Sequence, residues 1–151
     1  MYAAIATHPD IVFAVSMLSQ FLNNLGELHW DAVKHVLCYL LGTKHYELSF
    51  GSERQDLHGY TDTDGVLQLH HHTISRYMFF IDGGAISWHS CKQEIVTLST
   101  AEAEYMAVTH AAKEAAWLCH LKEELLTPIS SPTIIYCDNQ AALKLATDDN
   151  Y

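Results

Sequence analysis

The sequence predicts an α/β domain with a mixed sheet, preceded by a pair of helices. In the first 45 residues, apolar side chains recur every three or four positions, which is the spacing of helices that bury one face. From residue 46 onward, short extended runs come first, and a long alanine-rich helical run, one more extended run and a helical start follow. A strand that follows a helical crossover usually returns parallel to the sheet. We therefore expect three antiparallel strands, a crossover helix and one parallel strand.

The helical pair is predicted over residues 9–22 and 27–42. The first segment opens with a proline, which suits a first helical turn, and the second ends with a glycine, which suits a helix end. The polar tetrapeptide NNLG joins them. We expect residues 1–45 to form one helical unit and residues 46–151 to form the α/β domain.

Several segments of the second part are predicted to be extended because they are short, rich in aromatic and β-branched residues, and bounded by turn residues. They are YELSF (46–50), LHGYTDTD (57–64), RYMFFID (76–82), GGAISWHS (83–90) and EIVTLS (94–99). The glycine pair that opens GGAISWHS suits a hairpin turn. A helix from about residue 99 to 126 follows, and then come the strand TIIYCD (133–138) and the helical start NQAALKLA (139–146).

Charge and cysteine content narrow the functional classes. Eight basic and eighteen acidic residues give a formal net charge of −10, which argues against binding nucleic acid through a simple basic surface. Such binding would need metal ions or a partner chain. The four cysteines form no CxxC pair, so we expect no zinc knuckle or disulfide framework, and a reducing intracellular compartment fits best. We expect no membrane span and no secretory signal.

Two aspartates stand at the ends of predicted strands. Asp62 lies near the end of LHGYTDTD and Asp138 ends TIIYCD, so their side chains meet at one edge of the sheet if these strands are neighbours. Two adjacent carboxylates repel unless a proton or a cation lies between them, and oxygen ligands favour magnesium or manganese. Aspartate is also common at strand ends and helix starts for structural reasons alone. Asp64 shares a face with Asp62 in a regular strand, so alternation does not choose between them.

Two glutamates stand at the head of the long helical run. Ser99 and Glu102 have the spacing of a capping box, which gives Glu102 a structural role. At about 100° per residue, Glu104 instead shares a face with alanines that pack against the sheet. An unpaired carboxylate is costly there, so we expect either a metal shared with Asp62 and Asp138 or a basic side chain to compensate its charge.

These residues lie within motifs that resemble a known family. The motifs are GYTDTD, TISRYMFFIDGGAISWHSCKQEIVTLSTAEAEYMAVTHAAKEAAWL and IIYCDNQAALKLA, and they resemble the ribonuclease H domain of Ty1/copia-type LTR retrotransposon Pol polyproteins. The segment from the N-terminus to about residue 51 resembles the end of the reverse transcriptase and its connection to that domain. The resemblance covers nearly the whole chain, with the motifs in the family's order.

The resemblance implies a ribonuclease H-like fold that hydrolyses the RNA strand of an RNA:DNA hybrid with two Mg²⁺ or Mn²⁺ ions. The family's catalytic, metal-binding carboxylates fall on Asp62, Glu104 and Asp138, and the resemblance alone favours Asp62 over Asp64. The expected partners are the RNA:DNA hybrid and the remainder of the reverse transcriptase polyprotein. The expected location is intracellular, in cytoplasmic virus-like particles or in the nucleus.

Some positions depart from the family pattern. The family places a fourth metal-binding aspartate in a segment beyond TDDNY, so we expect this chain by itself to be weakly active or inactive. An inactive remnant and a module that only docks on a reverse transcriptase or its hybrid are therefore the alternatives. Three consecutive histidines, His70 to His72, suggest a metal site, but adjacent side chains on a loop cannot all face one ion, and their role stays open.

Overall fold

The structure is a computed structural model that describes residues 1–51, 55–64, 73–125 and 131–147. Its internal packing divides the chain into two compact units, Met1–Ser49 and Phe50–Tyr151. The sequence pattern predicts the boundary between the helical unit and the α/β domain after residue 45. The assignment of the two units to the end of a reverse transcriptase and to a ribonuclease H-like domain stays a prediction.

The first unit is helical. Helix α1 covers Tyr2–Ala6, a 3-10 turn covers Pro9–Ile11, helix α2 covers Val12–Ser19 and helix α3 covers Glu27–Gly42. Helix α3 has its predicted bounds. The helix predicted over residues 9–22 is shorter, because its proline end forms the 3-10 turn and the chain turns after Ser19. None of the described helices is long and apolar enough to cross a membrane.

The second unit contains a mixed sheet of four strands in the order β3-β2-β1-β4. The strands are β1 (His58–Asp64), β2 (Ile74–Ile81), β3 (Gly84–Lys92) and β4 (Ile134–Tyr136), and the helices are α4 (Thr100–Leu125) and α5 (Gln140–Thr147). Strands β1, β2 and β3 are antiparallel, and β4 is parallel to β1. The predicted order of three antiparallel strands, a crossover helix and a parallel strand is therefore confirmed.

A tight turn joins β2 to β3. Asp82 and Gly83 both have positive φ, at 48° and 79°. This is the backbone geometry of a two-residue type I′ hairpin turn, for which Asp-Gly is a favoured pair because glycine adopts positive φ without strain. The turn uses only one member of the predicted glycine pair, since Gly84 already pairs with Ile81 in the sheet.

Two segments predicted to be extended are not strands. Residues 46–50 form no ladder, and the ring of Phe50 instead lies over Gly84, where an added Cβ would stand 2.2 Å from it. Residues 94–99 also lack a ladder, because the chain leaves the sheet at Gln93. The Gln93 side chain donates hydrogen bonds to Ser75 Oγ at 2.7 Å and to the Ala103 carbonyl at 2.9 Å. Strand pairing thus stops where Gln93 joins β2 to the start of α4.

Helix α4 covers one face of the sheet. Its buried side chains recur at helical spacing and are Ala103, Glu104, Ala107, Ala111, Ala115 and Leu118. The hydrophobic core consists of Leu57, Phe79, Ala111, Ala115 and Leu118. Phe79 is fully buried, and its ring lies over Gly59, where an added Cβ would be 2.4 Å away. Small residues on α4 and at Gly59 therefore let the helix and the ring pack close to the sheet.

Candidate metal centre at the ends of β1 and β4

Strands β1 and β4 carry two of the predicted site residues to the same edge of the sheet. The strands are parallel neighbours, and their pairing ends with Tyr60 opposite Tyr136. Asp62 and Asp138 each stand two residues farther along. The two strands are neighbours, which was the condition for their aspartates to meet, and both aspartates lie beyond the last residues that β1 and β4 pair.

The loop after β4 is fixed at both ends. The Asn139 side-chain oxygen accepts hydrogen bonds from the amides of Ala141 at 2.9 Å and Ala142 at 3.1 Å. Asn139 is therefore the N-cap of α5, since a capping side chain satisfies amides that the helix leaves unpaired. Cys137 and Asp138 lie between the last paired residue of β4 and this cap, so the backbone on either side restricts their positions.

Glu104 lies on the buried face of α4, as predicted. Its side chain is 7% exposed, and its Oε2 is a buried atom without a hydrogen-bond partner among the described residues. Burial raises the pKa of Glu104 above its ordinary value, hydrogen bonding from Thr63 lowers it, and the charges of Asp62 and Asp138 raise it further. The ion pairs found among the described residues do not include Glu104, so a basic side chain does not compensate it there.

Glu102 lies on the exposed side of α4 and takes part in capping. The Glu102 amide donates to Ser99 Oγ at 3.1 Å. The Glu102 carboxylate accepts a hydrogen bond from the Leu98 amide at 2.8 Å. The predicted capping role is confirmed, except that the carboxylate returns to the amide one residue before Ser99. Two residues apart on one helix, Glu102 completes a helix end and Glu104 projects into the site.

The tightest group of potential metal ligands in the described part of the chain is Glu104, Cys137 and Asp138. One ligand atom from each lies within 4.8 Å of the other two. Asp62 is outside this group, although its charge acts on Glu104. Of the predicted site residues, the structure thus places Glu104 and Asp138 in one group, and leaves Asp62 outside it but near enough for its charge to raise the pKa of Glu104.

Asp62 and Asp64 have different surroundings. Both lie on the same face of β1, because strand pairing stays regular from His58 to Asp64. The Nη2 atom of Arg76 forms an ion pair with Asp64 Oδ2 at 2.6 Å, although Arg76 stands opposite Asp62 in the register. The Arg76 guanidinium therefore balances the charge of Asp64, whereas the charge of Asp62 acts on Glu104 and Cys137.

Cys137 is the residue of this group that sequence reasoning missed. It is partly buried, and burial is the main cause that raises the pKa of its thiol, with the charges of Glu104, Asp138 and Asp62 acting in the same direction. The available signal was its position directly before Asp138. Strand alternation would place neighbouring side chains on opposite faces, but β4 ends at Tyr136 and alternation no longer applies.

The donor set fits a bound cation. A buried carboxylate oxygen without a partner is costly, and a divalent ion would compensate both the missing contact and the repulsion among Asp62, Glu104 and Asp138. Carboxylate oxygens are the ligands that Mg²⁺ and Mn²⁺ prefer. The geometry therefore allows a metal centre at the ends of β1 and β4.

Comparison with known proteins finds relatives over most of the chain. It is 44% identical over 152 aligned positions to the retrovirus-related Pol polyprotein from transposon TNT 1-94 of Nicotiana tabacum, covering 100% of this chain and 11% of that protein. It is 36% identical to the Pol polyprotein from transposon RE2 of Arabidopsis thaliana, covering 94% of this chain and 10% of that one. It is also 44% identical to the secreted RxLR effector protein 161 of Plasmopara viticola, covering 78% of this chain and 84% of the effector.

The chain spans about a tenth of the length of the Pol polyproteins it matches. No family model and no solved structure matches it. The similarity to Pol polyproteins nevertheless runs from one end of the chain to the other, and a further Arabidopsis transposon, RE1, shows the same 36% identity over 94% of this chain. The chain therefore belongs to the Pol polyprotein family of copia-type retrotransposons.

Proposed function

We propose that this chain is the ribonuclease H part of a copia-type Pol polyprotein, and that it hydrolyses the RNA strand of RNA:DNA hybrids during reverse transcription. Asp62, Glu104 and Asp138 are the proposed catalytic residues, and two Mg²⁺ or Mn²⁺ ions are the proposed cofactors. The mixed sheet with a crossover helix is compatible with a ribonuclease H-like fold. The partners in this proposal are the hybrid and the remainder of the polyprotein, in cytoplasmic virus-like particles or in the nucleus.

The observation that carries the proposal is the burial of Glu104 with an unpartnered oxygen. A carboxylate that served only stability would be expected to have a hydrogen-bond or ion-pair partner for each of its buried oxygens. Glu104 Oε2 has none among the described residues, and the charges of Asp62 and Asp138 oppose its ionisation. Such mutual repulsion at one edge of a sheet supports a site whose charge is balanced by a ligand.

The three carboxylates would hold the metal ions, and each lies on a different element of the fold. Asp62 is on the central strand β1, Glu104 is in the first turns of α4, and Asp138 is on the loop before the capped helix α5. A divalent metal centre of this kind activates water and stabilises the charge that develops on phosphate oxygens. Mounting the ligands on rigid elements limits their displacement, which matters because misplacement of about 1 Å can cost a hundredfold in rate.

The net charge of −10 makes the metal ions important for substrate binding as well. A protein with this charge repels a nucleic-acid backbone at physiological salt. Cations held by the acidic edge would reduce that repulsion at the place where the scissile phosphate must approach. We therefore expect hybrid binding by the chain to require Mg²⁺ or Mn²⁺ and to weaken when chelator is added.

Because this chain by itself is expected to be weakly active, the test is prolonged incubation of an end-labelled RNA:DNA hybrid with an excess of the full chain in the presence of Mg²⁺ or Mn²⁺. Glu104→Gln and Glu102→Gln are a matched pair, because they make the same chemical change two residues apart on one helix. Cleavage should be lost in Glu104→Gln and in Asp138→Asn and kept in Glu102→Gln. Double-stranded DNA and single-stranded RNA of the same sequence should stay intact.

Thermal unfolding with and without metal provides a second readout. Mg²⁺ or Mn²⁺ should raise the melting temperature, since a ligand that binds only the folded state stabilises it by mass action. Asp62→Asn should remove the shift. Cleavage that persists in Asp138→Asn, or a folded chain that neither responds to millimolar metal nor cleaves the hybrid, would contradict the proposal and favour an inactive remnant.

A further inference from the structure

We propose that Glu104, Cys137 and Asp138 form a mixed sulfur and oxygen site that binds one thiophilic divalent cation, with Zn²⁺ as the physiological occupant. The site shares two carboxylates with the proposed hydrolytic centre but requires neither hydrolysis nor a nucleic acid. Binding of Zn²⁺ there would exclude the hard cations and switch off the proposed hydrolytic activity. Only this last consequence rests on the proposed function.

The distances suit a single ion. One ligand atom from each of the three residues lies within 4.8 Å of the other two. Zinc binds cysteine sulfur at about 2.3 Å and carboxylate oxygen at about 2.1 Å, so in tetrahedral geometry the two donors stand about 3.6 Å apart. The donors in the structure therefore need to move by little more than about 1 Å, which side-chain rotation supplies. Water is available for the fourth position.

Glu104 provides the independent sign of a missing ligand. Glu104 is 7% exposed and therefore 93% buried, and its Oε2 has no partner among the described residues. The same residue is one corner of the group with Cys137 and Asp138. A buried carboxylate beside a thiol and a second carboxylate is satisfied by a cation, because each of the other two groups offers a further lone pair to the same ion.

The sulfur atom changes which ion is preferred. A site made of carboxylates alone favours Mg²⁺ or Mn²⁺, whereas a thiolate ligand selects zinc and other soft ions. Cys137 would release its thiol proton to solvent when the metal–sulfur bond forms, so binding should weaken as pH falls. The loop is already held by β4 and by the Asn139 cap, so little backbone ordering opposes binding.

The experiment uses Cd²⁺ as a spectroscopic probe for Zn²⁺, because a cadmium–thiolate bond gives an ultraviolet charge-transfer band. The full chain, freed of metal and kept reduced with a phosphine, is titrated with Cd²⁺, and Zn²⁺ is then added as competitor. The described residues include four free cysteines, so the titration is repeated in a Cys38→Ser, Cys91→Ser, Cys119→Ser background that leaves only Cys137. We expect one equivalent of Cd²⁺ to bind in both forms and Zn²⁺ to displace it.

The matched controls separate Cys137 from the other thiols. Cys137→Ser should abolish the band while Cys38→Ser, an exposed thiol in the other unit, should leave it unchanged. Glu104→Gln should weaken Cd²⁺ binding by at least about tenfold, since removing even outer partners of metal ligands costs that much. Alkylation of Cys137, followed by mass spectrometry, should be slowed by Zn²⁺ and not by Mg²⁺.

A band that survives Cys137→Ser, or no band in the triple-serine background with native circular dichroism, would overturn the mixed site. Hybrid cleavage is assayed in parallel. Mg²⁺-dependent cleavage without a cadmium band would leave the proposed hydrolytic function standing and remove the zinc site. A cadmium band at Cys137 in a chain that does not cleave the hybrid would do the opposite.

Discussion

The two faces of the sheet differ in what lies against them. One face packs against α4, where Phe79 is fully buried and Leu57 is 4% exposed. The other face carries an aromatic cluster in which Tyr60 and Tyr136 stack with ring centroids 5.0 Å apart, yet both remain about half exposed. Stability is therefore expected to depend on the covered face much more than on the aromatic one, although both are rich in large apolar side chains.

The same contrast appears on α4 itself. Glu104 lies on its sheet-facing side and Glu102 on its exposed side. The two residues are of the same type, so their different roles follow from their different burial. Two glutamates in one helical turn, like two neighbouring phenylalanines in one strand, should respond to substitution in opposite or very unequal ways.

The largest expected effect is at Phe79. Phe79→Ala should lower the free energy of unfolding by about 3–5 kcal/mol, because it leaves a cavity in the covered face. Phe80→Ala removes the same side chain from the aromatic face and should cost much less, since Phe80 is only partly buried. Urea unfolding of both variants measures the difference. Similar losses would show that the aromatic face is as well packed as the covered one.

A second test adds volume to the covered face. An alanine at Gly59 would place its Cβ 2.4 Å from the Phe79 ring. Gly59→Ala should therefore destabilise the domain by about 1–3 kcal/mol through overpacking. In the double variant with Phe79→Leu, the loss should be smaller than the sum of the two single losses, because the smaller side chain relieves the contact. Additive losses in a double-mutant cycle would argue against this contact.

Removing the helix cap should have a moderate effect. Glu102→Ala deletes the carboxylate that accepts the hydrogen bond from the Leu98 amide. We expect a loss of about 1 kcal/mol, typical of a broken cap. The melting-temperature shift caused by Mg²⁺ should stay as large as in the unaltered chain. Loss of that shift would mean that Glu102 also contributes to the metal centre.

Glu104→Gln should raise the free energy of unfolding at neutral pH without metal, whereas Glu102→Ala should lower it. The folded-state pKa of Glu104 is raised above its ordinary 4.5, so its contribution is most favourable below that pH and is lost as pH rises through the folded pKa. A neutral glutamine avoids this loss, so we expect Glu104→Gln to be more stable than the unaltered chain near pH 7 and the gain to disappear in acid. In saturating Mg²⁺, the unaltered chain should instead be more stable than Glu104→Gln. Urea unfolding at several pH values checks both, and a stability difference that does not change with pH would contradict the assignment.

The smallest effect is expected at Asp64. Asp64→Asn breaks the ion pair with Arg76. The side chain of Asp64 is 61% exposed and that of Arg76 is 33% exposed. Exposed pairs contribute about 0–1 kcal/mol and are weakened by salt, so we expect a loss of about 0.5 kcal/mol that shrinks at high ionic strength. Measurements at low and high salt test this. The Mg²⁺ response should persist in Asp64→Asn and disappear in Asp62→Asn, which separates the two aspartates.

Sequence predicted the parts of the fold that depend on periodicity and topology. Helical spacing predicted the bounds of α3 and the buried face of α4 that includes Glu104. The crossover rule predicted that β4 returns parallel to the sheet, but not that its neighbour is β1. Residues 94–99 were wrongly predicted as a strand, because their composition favours extended structure but no neighbouring strand pairs with them. Local propensity does not report whether a partner strand is present.

The candidate site was predictable only in part. Helical geometry separated Glu104 from Glu102, and strand order brought Asp138 near Asp62. The position of Cys137 depends on the path of a three-residue loop after β4, where neither helical nor strand periodicity applies. The difference between Asp62 and Asp64 depends on where the flexible Arg76 side chain reaches across the strands. The histidines at 70–72, which were considered as a metal site, lie outside the described residues.

The link that Gln93 makes between β2 and the Ala103 carbonyl has a consequence for insertions and deletions. It sets the rotational phase of α4 at its first turn, so a residue gained or lost in the irregular stretch 94–98 can be absorbed before the helix begins. The same change between Glu104 and Leu118 would rotate one end of the helix against the other by about 100°. Insertions and deletions should therefore be tolerated before Ser99. Within the next five helical turns they should disrupt the packing of α4 on the sheet.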